Sequence, residues 1–183
     1  TGFVPYYNLP NPSEYITDVD QAVGLVQDTL RASVHKRLMA DVPVGVFLSG
    51  GLDSSIIAAL MKEELNELHS FSVGLEGSPD IQAAKLVADH LGTIHHTFTY
   101  TVEDMESVLE EVIYYLESYD PALVRSAIPC YFVSRLASQH VKVVLSGEGA
   151  DELFAGYSYL NDFTDEAKLQ QESRRILLGL HNI

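Results

Sequence analysis

The chain has 183 residues, 46% of them hydrophobic and 20% charged, which suits a soluble globular protein with one buried core. Its formal charge of −15 excludes a nucleic-acid surface, which needs a basic stripe, and no apolar run reaches the roughly twenty residues of a membrane span, so neither nucleic acid nor membrane is an expected partner. The single cysteine, Cys130, reads as buried and excludes an internal disulfide; with no signal peptide in view, a reducing, cytoplasmic setting is expected.

Residues 1–16 are rich in proline, tyrosine and asparagine and lack periodicity, which predicts an extended linker. Thr17, with Asp20 after it, is the expected cap of a helix whose apolar stripe runs through Val19, Val23, Val26, Leu30, Val34 and Leu38. His35, Lys36 and Arg37 crowd its last turn, where cations complement the helix dipole, and read as a solvated end. Val44–Leu48 is a short apolar run bounded by Pro43 and Gly50, the pattern of a strand buried on both faces. Helix is expected over 56–65, a second strand over 70–75, and helix again over 80–91, ended by Gly92. A third strand (93–100), helices over 102–116 and 128–139, a fourth strand (141–145) and a helical tail (164–180) complete the pattern. Tyr114, Tyr115 and Tyr119 are expected to pack and hydrogen-bond on a helix face. Strands alternating with helices of this length imply an α/β fold, an open parallel sheet with helices on both faces.

The chemistry gathers at Val44–Ser55, VGVFLSGGLDSS. A strand, the turn Ser49-Gly50-Gly51 and a helix opened by Asp53-Ser54-Ser55 form a phosphate site: glycines allow close backbone approach, and free N–H groups of the first helical turn face the anion. No lysine follows the glycines, so this is not the loop that ends in Gly-Lys-Ser/Thr. Asp53 among phosphates needs a counter-cation, which implies Mg²⁺. The plainer alternative is a tight turn before a serine- and aspartate-capped helix. A second glycine turn, Ser146-Gly147-Glu148-Gly149, follows the fourth strand, and Glu148, Asp151 and Glu152 cluster behind it. On an exposed loop they would be a solvated acidic turn; beside phosphates they read as Mg²⁺ ligands or proton acceptors.

SGGLDSS resembles the pyrophosphate loop of ATP pyrophosphatases, which split ATP between its α and β phosphates. SFSVGLEGSPD, HLGTIHH and LSGEGADELFAGY are similar, in order and wording, to the synthetase domain of glutamine-hydrolysing asparagine synthetases. The resemblance implies a nucleotide α-hydrolase-like fold with strand order 3-2-1-4. Strands 1 and 4 are then neighbours where the winding reverses, and both glycine turns meet at that crevice. It divides the chain into the linker 1–16 and a synthetase domain, 17–183, expected to be truncated at its C-terminus, with the N-terminal glutaminase domain absent.

By that resemblance Asp53 and Asp151 hold metal-bound pyrophosphate, with Ser49, Gly50, Gly51, Ser54 and Ser55 in the same loop. Leu48, Val73, Gly74, Ser146 and Gly147 frame the adenosine, and Glu148 governs formation and consumption of an adenylate. Arg125 is a candidate to bind a substrate carboxylate bidentately, or a surface ion pair. The implied reaction uses ATP and Mg²⁺ to adenylate the side-chain carboxylate of aspartate, releases pyrophosphate, and aminates the adenylate with ammonia supplied by the glutaminase domain; a homodimer of the full-length enzyme is an accompanying expectation. The rival readings are a β-lactam-forming or other amide synthetase, and a non-catalytic nucleotide-binding fragment. Transfer-RNA-modifying relatives are opposed by the acidic charge. Among the seven histidines, the adjacent His95 and His96 point to opposite faces of a strand and cannot share an ion, so no histidine metal site is expected.

Overall fold

A computed structural model describes residues 16–179; the expected linker therefore lies outside the described residues, save Ile16. The chain divides into two compact units, Leu30–Glu148 and the flanking segments Thr1–Thr29 with Gly149–Ile183.

Within Leu30–Glu148 a four-stranded sheet has the order β3-β2-β1-β4. β1 (Val44–Phe47) pairs in parallel with β2 (His69–Leu75) and with β4 (Val143–Leu145), and β2 pairs in parallel with β3 (Ile94–Tyr100). The fold is the open parallel sheet expected from the alternation of strands and helices. Each strand is followed by helix: α2 (Leu52–Glu64), α3 (Pro79–Leu91), then α4 (Val102–Leu116) and α5 (Pro121–Ala137). On one face Val46 and Leu48 pack with Ala58 and Met61 of α2, Ala84 and Ala88 of α3, and Val34 near the end of α1 (Val19–Arg37). On the other, Phe71 packs with Val133, Ala137 and Val141, while Tyr100 packs with Val108, Val112, Ile128 and Phe132.

Local chemistry sets the ends. Pro79 starts α3 behind Ser78, whose hydroxyl accepts the Asp80 N–H, and Gly92 stops it in the left-handed region. Thr101 and Asp104 form a reciprocal capping box on α4. Thr101→Ala should lower stability by about 1 kcal/mol, read from the midpoint of denaturant unfolding.

Four expectations are corrected. Asp18, not Thr17, caps α1, accepting the Gln21 N–H at 2.7 Å. α5 starts at Pro121, earlier than the expected 128, because Asp120 accepts the Ala122 and Leu123 N–H groups and proline is accepted in a first turn. Cys130 is exposed on that helix. Tyr114, Tyr115 and Tyr119 are exposed as well, two of them meeting edge to face.

In the flanking unit α6 (Ala150–Phe154) sits between Gly149 and Ala155, both with positive φ. A 3₁₀ turn, Ser158–Asp162, and α7 (Glu166–Gly179) follow. α6 contacts α7, and the Tyr157 hydroxyl donates to Glu152. In α1, Val19, Val23 and Val26 are exposed, so the predicted stripe is buried only toward its C-terminal end.

Candidate nucleotide site

β1 ends as its backbone leaves the sheet: the Leu48 N–H still donates to Phe71 O at 2.8 Å, and the chain then turns. Gly50 makes the turn with φ 81°, in the region that favours glycine. The loop is braced from within. Ser49 Oγ lies 2.9 Å from Ser54 Oγ, and the Ser49 N–H donates to Ser54 Oγ at 3.2 Å. Ser54 and Ser55 both donate their hydroxyls back to Gly51 O. These hydroxyls shape the loop, so the group it presents outward is backbone.

That backbone is the start of α2. Its N-cap is Gly51, with no side-chain cap, so the turn is the tight one of the plainer alternative but neither serine nor aspartate caps the helix behind it. The first-turn N–H groups have no helical acceptor by geometry. Asp53 is exposed in this turn and makes no ion pair among the described residues.

The second glycine turn arrives at the same place. A Cβ on Gly147 would lie 2.8 Å from Ser54 N and 2.9 Å from Asp53 C. Only a residue without a side chain lets the turn after β4 press on the first turn of α2. The two loops therefore meet at the carboxyl ends of the adjacent strands β1 and β4. Val73 and Gly74 end β2 on the other side of β1 at the same edge.

Glu148 follows Gly147 and is exposed; its N–H donates to Ser146 Oγ at 3.2 Å. Its charge reaches α5. Although Cys130 is exposed as a residue, its thiol is pushed above its ordinary value, first by partial desolvation of the sulfur and then by Glu148. Arg125 is exposed on α5, where the sequence pattern had placed a connection, and makes no ion pair among the described residues. Asp151 falls in the flanking unit on α6, its carboxylate against Gly156. The structure thus brings together Leu48, Ser49, Gly50, Gly51, Asp53, Ser54, Ser55, Ser146, Gly147 and Glu148.

Sequence reasoning passed over a groove of about 440 Å³ beside β4, lined by Val34, Lys36, Arg37, Val144 and Ser146 among others. Lys36 and Arg37 are exposed, as a solvated helix end should be, and also line this groove, which Ser146 joins to the second glycine turn.

Comparison with known proteins settles the kinship of this arrangement. The family described as asparagine synthase matches residues 25–179. The chain belongs to the asparagine synthase family. It is 44% identical over 98% of its length to an asparagine synthetase [glutamine-hydrolyzing] of Triphysaria versicolor, and 43% identical over 98% to one of Arabidopsis thaliana. The chain spans about a third of each of these relatives, 33% of their length. Among solved structures, an NMN synthetase from Francisella tularensis is similar with TM-score 0.54 at 18% identity, covering 73% of this chain and 58% of that one. An NH3-dependent NAD synthetase from Campylobacter jejuni aligns with TM-score 0.50 at 17% identity, covering 78% of this chain and 62% of that one. At such identities the likeness is one of fold. For this asparagine synthase family chain it places the 3-2-1-4 sheet among the synthetase folds that the resemblance implied.

Proposed function

We propose that the chain carries the adenylating site of an asparagine-forming amide synthetase. The observation that supports this most is the closure of Gly147 onto the uncapped first turn of α2, which gives the two glycine turns one anion-facing mouth. In this reading the N–H groups of that turn bind the β and γ phosphates as a leaving unit. The adenosine lies against Leu48, Val73, Gly74, Ser146 and Gly147. Because the Leu48 N–H is spent on Phe71 O, its carbonyl is the group left to accept a hydrogen bond from a purine amino edge.

The donor set fits Mg²⁺. Asp53 is an unpaired, exposed oxygen ligand at the phosphate mouth, and Mg²⁺ characteristically takes one or two carboxylates plus substrate phosphates while keeping its waters. Asp53 would hold it, and Asp151, in the flanking unit, is the further carboxylate that the family resemblance assigns to it; when bound it would neutralise charge on the departing pyrophosphate. Arg125 would take the α-carboxylate of aspartate by its two-pronged guanidinium face. Glu148 would orient ammonia, or accept its proton, as the amide forms. The substrates in this reading are ATP, aspartate and ammonia, the last delivered by a glutaminase domain, and the setting is cytoplasmic.

Calorimetric titration with ATP and Mg²⁺, with and without aspartate, tests the reading. Saturable binding that needs Mg²⁺ is expected, and Asp53→Ala should weaken it by the roughly 1.5–3 kcal/mol of a charge-assisted contact, about 10- to 150-fold. Equal affinity of the two proteins in the presence and absence of Mg²⁺ would remove Asp53 from the site. Nucleotide binding without any aspartate-dependent pyrophosphate release, in a form of full family length, would favour another acceptor or a binding role alone.

A further inference from the structure

At the opposite edge of the sheet, three histidines that are far apart in sequence meet. His69 opens β2, His96 lies in β3, and His140 lies in the connection from α5 to β4. The parallel register that pairs His69 with Ile94 and Phe71 with His96 puts these side chains on one face of the sheet, the face that α5 covers. His95, one residue earlier, turns to the other face, where its two ring nitrogens meet Ser70 and Ser72 at 2.8 and 3.1 Å. The opposite-face reading of His95 and His96 thus stands, but His96 finds its companions on other elements.

One ring nitrogen from each of His69, His96 and His140 lies within 4.8 Å of the others. His69 Nδ1 and His96 Nε2 are 2.9 Å apart. The rings of His96 and His140 stack with centroids 3.8 Å apart. On the far side of the His69 ring, Nε2 lies 3.5 Å from the Glu67 carboxylate. We propose that His69, His96 and His140 form a binding site for a divalent transition-metal ion of the Zn²⁺ class, separate from the nucleotide site.

The donor chemistry selects that class. Three imidazoles without a carboxylate in the inner set suit Zn²⁺, Cu²⁺, Ni²⁺ or Co²⁺, and not the oxygen-seeking Mg²⁺ or Ca²⁺. Glu67, its carboxylate 3.5 Å from His69 Nε2, stands where the outer partner of a metal-bound histidine characteristically lies, with Nδ1 of His69 on the side of His96. His69 and His96 can share one proton between them, while the His140 ring stacks on His96 without a hydrogen bond from its own nitrogens among the described residues.

Ligation asks for a modest movement. Donors around a tetrahedral Zn²⁺, at about 2.0–2.1 Å from the ion, stand roughly 3.3 Å apart. The His69 and His96 nitrogens, 2.9 Å apart and hydrogen-bonded, need part only slightly, so most of the movement falls to His140, which must unstack from His96 and swing its nitrogen inward. His140 is exposed and lies in a connection, which leaves it free to do so, and it leaves the fourth position open to water. The ion would tie the α5–β4 connection to β2 and β3 above the buried Phe71 ring. From His69 to Gly74 the strand rises about 16 Å, which separates this site from the glycine turns.

The test uses the full chain freed of metal with a chelator. Calorimetric titration with Zn²⁺ alone should show saturable one-site binding, and Co²⁺ should give the visible absorption of a four-coordinate ion. His140→Ala should weaken Zn²⁺ binding at least ~10-fold and remove the Co²⁺ band, while ATP binding and the metal-free unfolding midpoint stay as they were. His90→Ala, on the exposed side of α3, should change neither metal signal. Absence of saturable Zn²⁺ binding, or binding that His140→Ala leaves unchanged, overturns the site. Because the site is read by metal binding and not by turnover, its failure and the failure of the nucleotide site are seen separately.

Discussion

Replacing Glu148 by glutamine should leave ATP affinity within a few-fold while lowering amide formation by about 10²–10⁴, the usual scale for a positioned acid–base group. Glu148 is exposed, engages no cation among the described residues, and follows the glycine that closes on the first turn of α2. A free carboxylate beside polyphosphate repels it in the ground state, so binding alone gives no reason for acid at this position. A carboxylate that takes a proton from attacking ammonia, or aims it, contributes only as the reaction proceeds. Glutamine keeps the shape and the backbone N–H donation to Ser146 Oγ, which isolates the charge. The assay is aspartate-dependent pyrophosphate release and amide formation in a form of full family length, with ATP affinity measured in parallel. If ATP binding collapses while turnover per bound nucleotide holds, Glu148 is a metal or framework residue and its catalytic role is wrong. The Cys130 thiol offers a second readout, since removing the Glu148 charge should lower the pKa that this carboxylate helps to raise.

The strands were legible as short runs between breakers, as at Val44–Phe47 between Pro43 and the glycines, whereas their order in the sheet came from the family resemblance alone. The ends of helices were less so. The stretch from Pro121 reads as a connection, since Pro129 interrupts the pattern, yet Asp120 followed by Pro121 is a recognisable start signal. α6 is five residues long between two positive-φ positions, too short for any period to show. Periodicity reveals a stripe but not whether anything covers it, which is why Val19, Val23 and the α4 tyrosines stand exposed. At the nucleotide site, residue types and glycine spacing pointed to the loop. The internal bracing by Ser49 and Ser54 did not show, because it depends on where two hydroxyls five positions apart end up. The histidine trio was out of reach for a similar reason: it needs the β2–β3 register and the path of a connection, neither of which leaves a local pattern.

Gly50→Ala should destabilise the fold by several kcal/mol, far more than Gly77→Ala, although the two glycines share nearly the same backbone angle. Gly50 has φ 81° and Gly77 has φ 79°, so the left-handed penalty, about 1–2 kcal/mol for an ordinary residue, is common to both. What differs is the surroundings. A Cβ at Gly77 meets nothing within 4 Å, whereas one at Gly50 would lie 2.5 Å from both Ala83 C and Ala84 N. Those atoms are backbone inside α3, held on one side by Ala84 and Ala88 in the core, and cannot give way as a flexible side-chain tip would. The methyl group must therefore push α3 off the sheet or force the Ser49–Gly51 turn open, adding packing loss to the conformational penalty. Denaturant unfolding of the two variants, measured side by side, separates the terms: the loss in Gly77→Ala reports the backbone angle, and the excess in Gly50→Ala reports the contact with α3. Equal losses would show that α3 does not press on the loop, and that the close approach on which the site's shape depends is not present in solution.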